Sequence, residues 1–214
     1  MPPAAPYQGP APGRPGRVLA VVGAALVGAG LLAGLVAART RGTPEPPRMG
    51  TLPDFHLVER SGRALSGRDL RGHPWIADFI FTQCGGACPA MTARLARLRP
   101  EVPSDVAFVS FTVDPAHDTP EVLARYASAF HADQSWLFAT GAQKDLYDLS
   151  TQGFKLAAME LAPGDRSGGD GPFLHSSKLS LVDADGVIRG YYDSTDEAAL
   201  RALVADAAAV RARR

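Results

Sequence analysis

Residues 75–91 read WIADFIFTQCGGACPAM and decide the fold. The first seven residues form an apolar run with β-branched and aromatic side chains, which predicts a buried strand. This run leads into Cys84 and Cys88, the two cysteines of the chain. Pro89 is tolerated in the first turn of a helix but not deep inside one. A helix is therefore expected to begin near Cys88.

The segment after the cysteines alternates between strand and helix patterns. Val106–Val113 predicts a second strand. Thr119-Pro120-Glu121 supplies an N-cap, a proline at the first helical position and an acid in the first turn, so a helix is expected there. Trp136–Ala139 predicts a short strand and Lys144–Gln152 another helix. The apolar face of the helix after Thr119 is assigned to Val122, Tyr126 and Phe130.

The two ends of this region carry hairpin patterns. Asp54–Leu65 reads as two short strands around Ser61-Gly62, and residues 160–172 read as a loop. Lys178–Val182 and Val187–Tyr192 read as a second hairpin, followed by a final helix that opens with the capping box Ser194-x-x-Glu197. The element order predicts an α/β, thioredoxin-like fold with an N-terminal β-hairpin extension.

The N-terminus carries a long apolar segment. Val18–Ala38 is 21 residues without a charge, which as a helix would span roughly 30 Å, the thickness of a bilayer core. The apolar region of a cleaved signal peptide is shorter, about 7–15 residues, so a transmembrane helix is favoured over a cleaved signal. The sequence thus predicts a tail at 1–17, an anchor at 18–38, a proline-stiffened linker at 39–50 and a folded domain at 51–214.

Charge and cysteine content bound the function. Residues 49–214 carry 17 basic and 21 acidic residues, a net charge of −4, which does not favour binding to nucleic acid. Nineteen of the 22 basic residues are arginine, a bias that indicates a GC-rich bacterial genome. A tethered domain with two cysteines suits a compartment outside the cytoplasm. We therefore expect a single-pass protein of the bacterial cytoplasmic membrane, with its soluble domain on the outer side.

The spacing of Cys84 and Cys88 allows two kinds of chemistry. If the turn between them is helical, both sulfurs lie on one face with Cα atoms about 6 Å apart, so that they can form a disulfide or share a metal ion. The N-terminus of the helix is expected to lower the thiol pKa. A structural disulfide across so short a loop would contribute little stability, and structural zinc usually needs four protein ligands.

A third metal ligand would have to come from a histidine. His175 is the strongest candidate, because the loop before the terminal hairpin of a thioredoxin-like fold faces the cysteine helix. Two thiolates and one imidazole suit copper, as Cu(I) or as tetragonal Cu(II). The alternatives to His175 are His56, His73, His117 and His131.

At these residues the chain resembles the Sco/SenC family of membrane-anchored copper chaperones, over roughly residues 50–210. The resemblance is carried by DFIFTQCGGACPAM (78–91), FTVDPAHDTPEVLARY (111–126), LHSSKLSLVDADGVIRGYYD (174–193) and the N-terminal apolar segment. It differs at Gly85, where many members have proline.

The resemblance implies a site and partners. Cys84 and Cys88 are expected to be thiolate ligands of copper that also form a redox disulfide, His175 the imidazole ligand, and Asp114 a residue near the site that tunes or helps load it. The expected partners are a periplasmic copper donor and cytochrome c oxidase subunit II, or a related acceptor, whose copper A centre the protein would help assemble.

Two other functions remain open at this stage. The first is a membrane-tethered thiol–disulfide oxidoreductase that keeps an acceptor's cysteines reduced, which would be the one enzymatic activity of the protein. The second is a peroxiredoxin-like peroxidase or redox sensor. A peroxidatic site has a threonine before its reactive cysteine and an arginine nearby, whereas here Thr82 precedes Cys84 by two residues and no arginine lies near it in sequence.

Overall fold

The computed structural model describes residues 45–160 and 173–211, together with Gly9. The predicted transmembrane segment at 18–38 and most of the predicted 160–172 loop lie outside these residues. Within the described part of the chain, no helix is both long and apolar enough to cross a bilayer.

The strands of the described residues are β1 (Gly50–Thr51), β2 (His56–Glu59), β3 (Ala64–Ser66), β4 (Trp75–Ile80), β5 (Ala107–Thr112), β6 (Trp136–Thr140), β7 (Ala158–Glu160), β8 (Phe173–His175), β9 (Lys178–Val182) and β10 (Val187–Asp193). Eight of these strands form one sheet, in the order β1-β10-β9-β4-β5-β6-β2-β3, and β7 pairs with β8 in a separate ribbon. The helices are α1 (Ala87–Leu98), α2 (Pro120–Ala129), α3 (Gln143–Asp148) and α4 (Glu197–Arg211). Short 3₁₀ turns occupy Gly67–Leu70 and Arg99–Glu101, and a π turn, Leu149–Gly153, follows α3.

The centre of the sheet is β4, which runs parallel to β5 and antiparallel to β9. All six of its residues are buried, as expected for a central strand covered on both faces. The ends of β4 and β5 and the start of β9 consequently meet at one edge of the sheet, and the cysteines follow β4 at that edge.

Most predicted elements are confirmed, with local corrections. The N-terminal hairpin is β2–β3, and α1 begins at Ala87, one residue before Cys88. The buried residues of α2 are Leu123 and Ala127, whereas Val122, Tyr126 and Phe130 were predicted. The helix is thus rotated by about one residue from the predicted orientation. Helix α4 begins after Asp196 instead of Ser194, since the Asp196 side chain accepts a hydrogen bond from Ala198 N at 2.8 Å.

Aromatic rings fill both sides of the central strands. On one side, Phe79 lies 5.4 Å from both Phe111 and Phe154 between ring centroids. On the other side, Trp136 lies 5.3 Å from Phe108 and 5.4 Å from Phe138. These rings make the sheet a rigid support for the loops at its edges.

A carboxyl group is buried within this apolar sheet. Asp78 in β4 is 1% exposed, and its Oδ1 accepts a hydrogen bond from Ser110 Oγ at 2.6 Å. Ser110 Oγ in turn accepts one from Trp136 Nε1 at 2.9 Å. Asp78 Oδ2 contacts no hydrogen-bond donor among the described residues. Burial raises the pKa of Asp78 to about 7, since an ionised carboxylate is poorly solvated there.

The N-terminal segment of the domain is held by Arg189, which is 4% exposed. Its guanidinium donates hydrogen bonds to the Pro46 carbonyl and to Asp183 Oδ2, and pairs with Glu45. Met49 N then donates to Ile188 O at 2.9 Å, where β1 joins the sheet edge. Residues 45–50, which the sequence assigns to a linker, thus pack against β10.

We expect a fragment spanning residues 52–214 to be less stable than one spanning 45–214. The shorter fragment leaves the buried Arg189 guanidinium without its Glu45 and Pro46 partners, and an unsatisfied buried polar group costs about 1–3 kcal/mol. Thermal unfolding followed by circular dichroism measures the difference. Glu45→Ala in the longer fragment should cost less, because Glu45 is 40% exposed. Equal midpoints for the two fragments would contradict this role for the segment.

We also expect Asp78→Asn to change how stability depends on pH. The pKa of Asp78 is raised in the folded state, so its favourable contribution is fully present below about pH 4 and is lost as pH rises through about 7. We therefore expect the free energy of unfolding of Asp78→Asn to increase relative to that of wild type between pH 4 and pH 8, by up to roughly 4 kcal/mol. Denaturant unfolding of both proteins across this pH range measures the difference. Asp145→Asn, at an exposed carboxyl, is the control. Parallel curves for wild type and Asp78→Asn would contradict the expectation.

Candidate functional site

The two cysteines lie together at the end of β4. Cys84 is in the loop before α1 and Cys88 is in the first turn of α1. Cys84 Sγ accepts a hydrogen bond from Cys88 N at 3.2 Å, and no disulfide joins the two cysteines. The N-cap residue Gly86 has no side chain to offer, so the Cys84 sulfur satisfies a free N–H of the helix terminus instead. Cys84 therefore lies outside the helix, although the spacing had allowed a helical turn between the two cysteines. Its sulfur nevertheless lies against the helix that carries Cys88.

Burial controls the chemistry of Cys88, which is 0% exposed, whereas Cys84 is 6% exposed. Burial raises the pKa of the Cys88 thiol far above its usual range, and the nearby Cys84 and Asp78 raise it further. The expectation that the helix N-terminus would lower this pKa is wrong for Cys88, because the loss of solvation outweighs the helix dipole. Cys88 consequently holds its proton at neutral pH.

Asp114 lies in the loop after β5, beside the cysteine loop. Its backbone N donates to Thr112 Oγ1 at 2.9 Å, and its carboxylate accepts a hydrogen bond from His117 Nδ1 at 2.8 Å. This bond to Asp114 raises the pKa of the exposed His117. A carboxylate that holds Nδ1 of an imidazole leaves Nε2 directed away from it, as in the supporting pairs of many metal sites.

A second aspartate joins the two loops. Asp118 is fully buried and accepts hydrogen bonds from Thr82 N at 3.1 Å, from Thr82 Oγ1 at 2.5 Å and from Thr112 Oγ1 at 2.5 Å. Burial raises its pKa, although these hydrogen bonds act in the opposite direction. Thr82 stands two residues before Cys84, so Asp118 ties the cysteine loop to the loop that carries Asp114.

His175 is the last residue of β8, where its backbone pairs with Ala158. It lies three residues before the start of β9, and the start of β9 lies at the same sheet edge as the end of β4. The side chain of His175 is outside the described part of the structure. The four alternative histidines, His56, His73, His117 and His131, are exposed. Among the described residues, no group of three or more histidine, cysteine, aspartate or glutamate side chains could hold a metal ion.

Sequence reasoning missed two buried acids near the cysteines, Asp78 and Asp118. Asp78 had a visible signal, since it is the single charged residue in the apolar run of β4. Asp118 lies within the stretch FTVDPAHDTPEVLARY (111–126), but its partner Thr82 is distant in sequence. The hydroxyl of Tyr126 also lies near the cysteine helix, 2.9 Å from Thr92 Oγ1. Thr92 Oγ1 in turn donates a hydrogen bond to Cys88 O.

Residues 44–209 match the family model described as SCO1/SenC. A Stutzerimonas stutzeri protein named for copper binding is 32% identical over 149 residues, which cover 68% of this chain and 70% of that protein. The crystal structure of a SCO1/SenC family lipoprotein from Bacillus anthracis superposes with a TM-score of 0.68 at 28% identity, over 78% of this chain and 98% of that one.

A further solved structure is that of BsSco, a member of the Sco family of cytochrome c oxidase assembly proteins in which a disulfide switch has been identified. It superposes with a TM-score of 0.67 at 27% identity, over 81% of this chain and all of that one. These likenesses confirm the mixed α/β, thioredoxin-like fold. Because the family match spans most of the sequence, from before β1 into α4, the chain belongs to the SCO1/SenC family.

Proposed function

We propose that this protein is a copper metallochaperone that binds copper through the thiolates of Cys84 and Cys88 and the imidazole of His175. The observation that carries the proposal is the contact between the two cysteines, with Cys84 Sγ 3.2 Å from Cys88 N at the edge of the sheet. Two soft sulfur donors side by side favour copper over harder ions. The copper-binding name of the Stutzerimonas stutzeri relative supports the same choice of metal.

Copper binding at this site must displace protons. The metal binds thiolate, and burial raises the pKa of the Cys88 thiol. Loading therefore releases the Cys88 proton, and the apparent affinity should increase with pH. A buried thiol would hold its proton until copper arrives, which limits reaction with other electrophiles.

The role of His175 rests on topology. Its backbone lies shortly before β9, at the sheet edge that β4 reaches before the cysteines. An imidazole added to two thiolates would give Cu(II) the nitrogen donor that it prefers, whereas Cu(I) can be held by the two sulfurs. We assign Asp114, with His117 on its carboxylate, to tuning or loading of this site.

The cellular role follows from the family. BsSco belongs to the cytochrome c oxidase assembly proteins, and we infer that this chain delivers copper to the copper A centre in subunit II, or to a related acceptor, from a periplasmic donor. We propose that residues 1–17 form a tail, residues 18–38 a membrane anchor and residues 39–50 a linker whose last part packs on β10, ahead of a copper-binding domain (51–214) on the outer side of the bacterial membrane. The lipoprotein nature of the Bacillus anthracis relative supports attachment to a membrane.

A second candidate function is thiol–disulfide exchange with an acceptor protein. It is favoured by the two adjacent cysteines in dithiol form and by the disulfide switch identified in BsSco. In this reaction Cys84 and Cys88 would lose two protons and two electrons to form a disulfide, while the acceptor's disulfide is reduced to two thiols. The same sulfurs cannot bind copper and form this disulfide at once.

The reduced domain, residues 45–214, should bind one copper ion with sulfur and nitrogen ligands. Anaerobic titration with Cu(II), followed by absorption and paramagnetic resonance, should show a sulfur-to-copper charge-transfer band. Protein oxidised to the Cys84–Cys88 disulfide should bind much less, because thiolates are required. Cys84→Ser with Cys88→Ser is the matched control. Equal copper uptake by oxidised and reduced protein would show that the cysteines are not ligands.

Replacing His175 with alanine should separate the two oxidation states of copper. Cu(II) affinity should fall at least tenfold, whereas Cu(I) affinity and the dithiol redox potential should change little, because two thiolates suffice for a soft ion. Competition with chelators of known affinity measures both metals. His131→Ala is compared, because the proposed ligand set leaves this exposed histidine out. Unchanged Cu(II) affinity in His175→Ala would contradict the proposed ligand set and direct attention to His56, His73, His117 and His131.

A further inference from the structure

We propose that Asp118 is the positioning residue that sets the geometry of the Cys84–Cys88 pair, acting through Thr82. The proposal rests on the proposed function only where copper is concerned, since the contacts that carry it are those of the dithiol form without metal. Asp118 does not itself contact either cysteine in the described hydrogen bonds. It acts on the loop that carries them.

The first argument is the cost of burying Asp118. Its side chain is fully enclosed, and no arginine or lysine pairs with it among the described ion pairs. A buried carboxylate without a cation is retained only when several donors satisfy its oxygens. Three donors do so here: Thr82 N, Thr82 Oγ1 and Thr112 Oγ1.

The second argument is where these donors lie. Thr82 presents both its backbone N–H and its hydroxyl to Asp118, which fixes the residue that opens the cysteine loop. Within the loop, Cys84 N lies 3.4 Å from Phe81 O and Cys84 Sγ accepts from Cys88 N, whereas the exposed Gly85 and Gly86 have no side chains to add. The hydrogen bonds from Thr82 to Asp118 therefore join the start of this loop to the segment that follows β5.

The third argument is the connection with the opposite loop. Thr112 Oγ1 donates to Asp118 Oδ2 and accepts from Asp114 N, and Asp118 N donates to Asp114 O at 2.9 Å. The position of Asp114 is thus coupled to that of Thr82 through one carboxylate. Loss of the carboxylate should loosen both sides of the site together.

The test uses Asp118→Asn, Thr82→Val and the matched control Asp183→Asn in the purified full-length chain. Asparagine keeps the shape of Asp118 but replaces one accepting oxygen with an amide donor, so the three donors cannot all be satisfied. Thr82→Val removes only the hydroxyl donor. Asp183 is also buried and accepts hydrogen bonds from Asp185 N and Val187 N, and unlike Asp118 it also pairs with Arg189. It follows Val182, which pairs with Trp75 at the opposite end of β4 from the cysteines.

Each variant is equilibrated with reduced and oxidised glutathione. In this exchange the Cys84 and Cys88 thiols become a disulfide as one glutathione disulfide becomes two thiols. Asp118→Asn should move the equilibrium about tenfold, or about 30 mV, toward the protein disulfide. The reason is that the substitution weakens the hydrogen bonds from Thr82 that hold the loop in its dithiol geometry. Thr82→Val should move the redox equilibrium less, in the same direction. Asp183→Asn should lower the midpoint of thermal unfolding without moving the redox equilibrium.

The sulfur-to-copper charge-transfer band gives a second readout. We expect it to shift or broaden in Asp118→Asn and to be unchanged in Asp183→Asn. The proposal is overturned if Asp118→Asn loses thermal stability as Asp183→Asn does while its redox equilibrium stays within about twofold of wild type. If Asp118→Asn does not fold, an unchanged equilibrium in Thr82→Val overturns it. Absence of copper binding by wild type would contradict the metallochaperone function and leave the redox test of Asp118 intact.

Discussion

The carboxylate of Asp118 joins two loops that leave the sheet at the same edge, and the geometry of the site depends on this junction. Parallel pairing of β4 with β5 brings the residues after Ile80 and Thr112 side by side. Hydrogen bonds from Thr82 and Thr112 to Asp118 then fix how the two loops diverge. The antiparallel start of β9 brings a third segment, with His175 before it, to this edge. Strand direction thus assembles residues that are some ninety positions apart in sequence.

Burial dominates the electrostatics beneath this edge. The pKa values of Asp78, Cys88 and Tyr126 are all raised, chiefly because the surrounding apolar groups solvate charge poorly. Helix α1 begins next to Cys88, yet its dipole does not compensate for that loss of solvation. A metal ion can compensate, because it brings positive charge directly to the sulfur. The same environment therefore opposes a bare thiolate at Cys88, whereas a soft cation bound to the sulfur would neutralise its charge as the proton does.

The sequence predicted the features that depend on local pattern. The apolar run of β4 and the position of Pro89 were sufficient to place the central strand and the start of α1. Strands β1, β7 and β8 were missed because two or three residues show no measurable periodicity. The cap of α4 was misplaced by two residues, since Ser194 and Asp196 offer similar side chains and tertiary contacts decide between them. Ser194 is buried, and its N donates to Ser177 O.

The candidate site was predictable in its two cysteines but not in the residues that support them. Residue type and spacing identify Cys84 and Cys88, because sulfur chemistry belongs to the side chain itself. The thiol pKa of Cys88 and the role of Asp118 depend on burial and on partners far away in sequence, which spacing does not reveal. This difference bears on the choice between copper transfer and disulfide exchange. In the two proposed functions both reactions would use the same two sulfurs and exclude each other, so the residues that hold the cysteine loop would influence the balance between them. Cys84 Sγ, which accepts a hydrogen bond from the N–H of Cys88, would take part in either the metal–sulfur or the sulfur–sulfur bond.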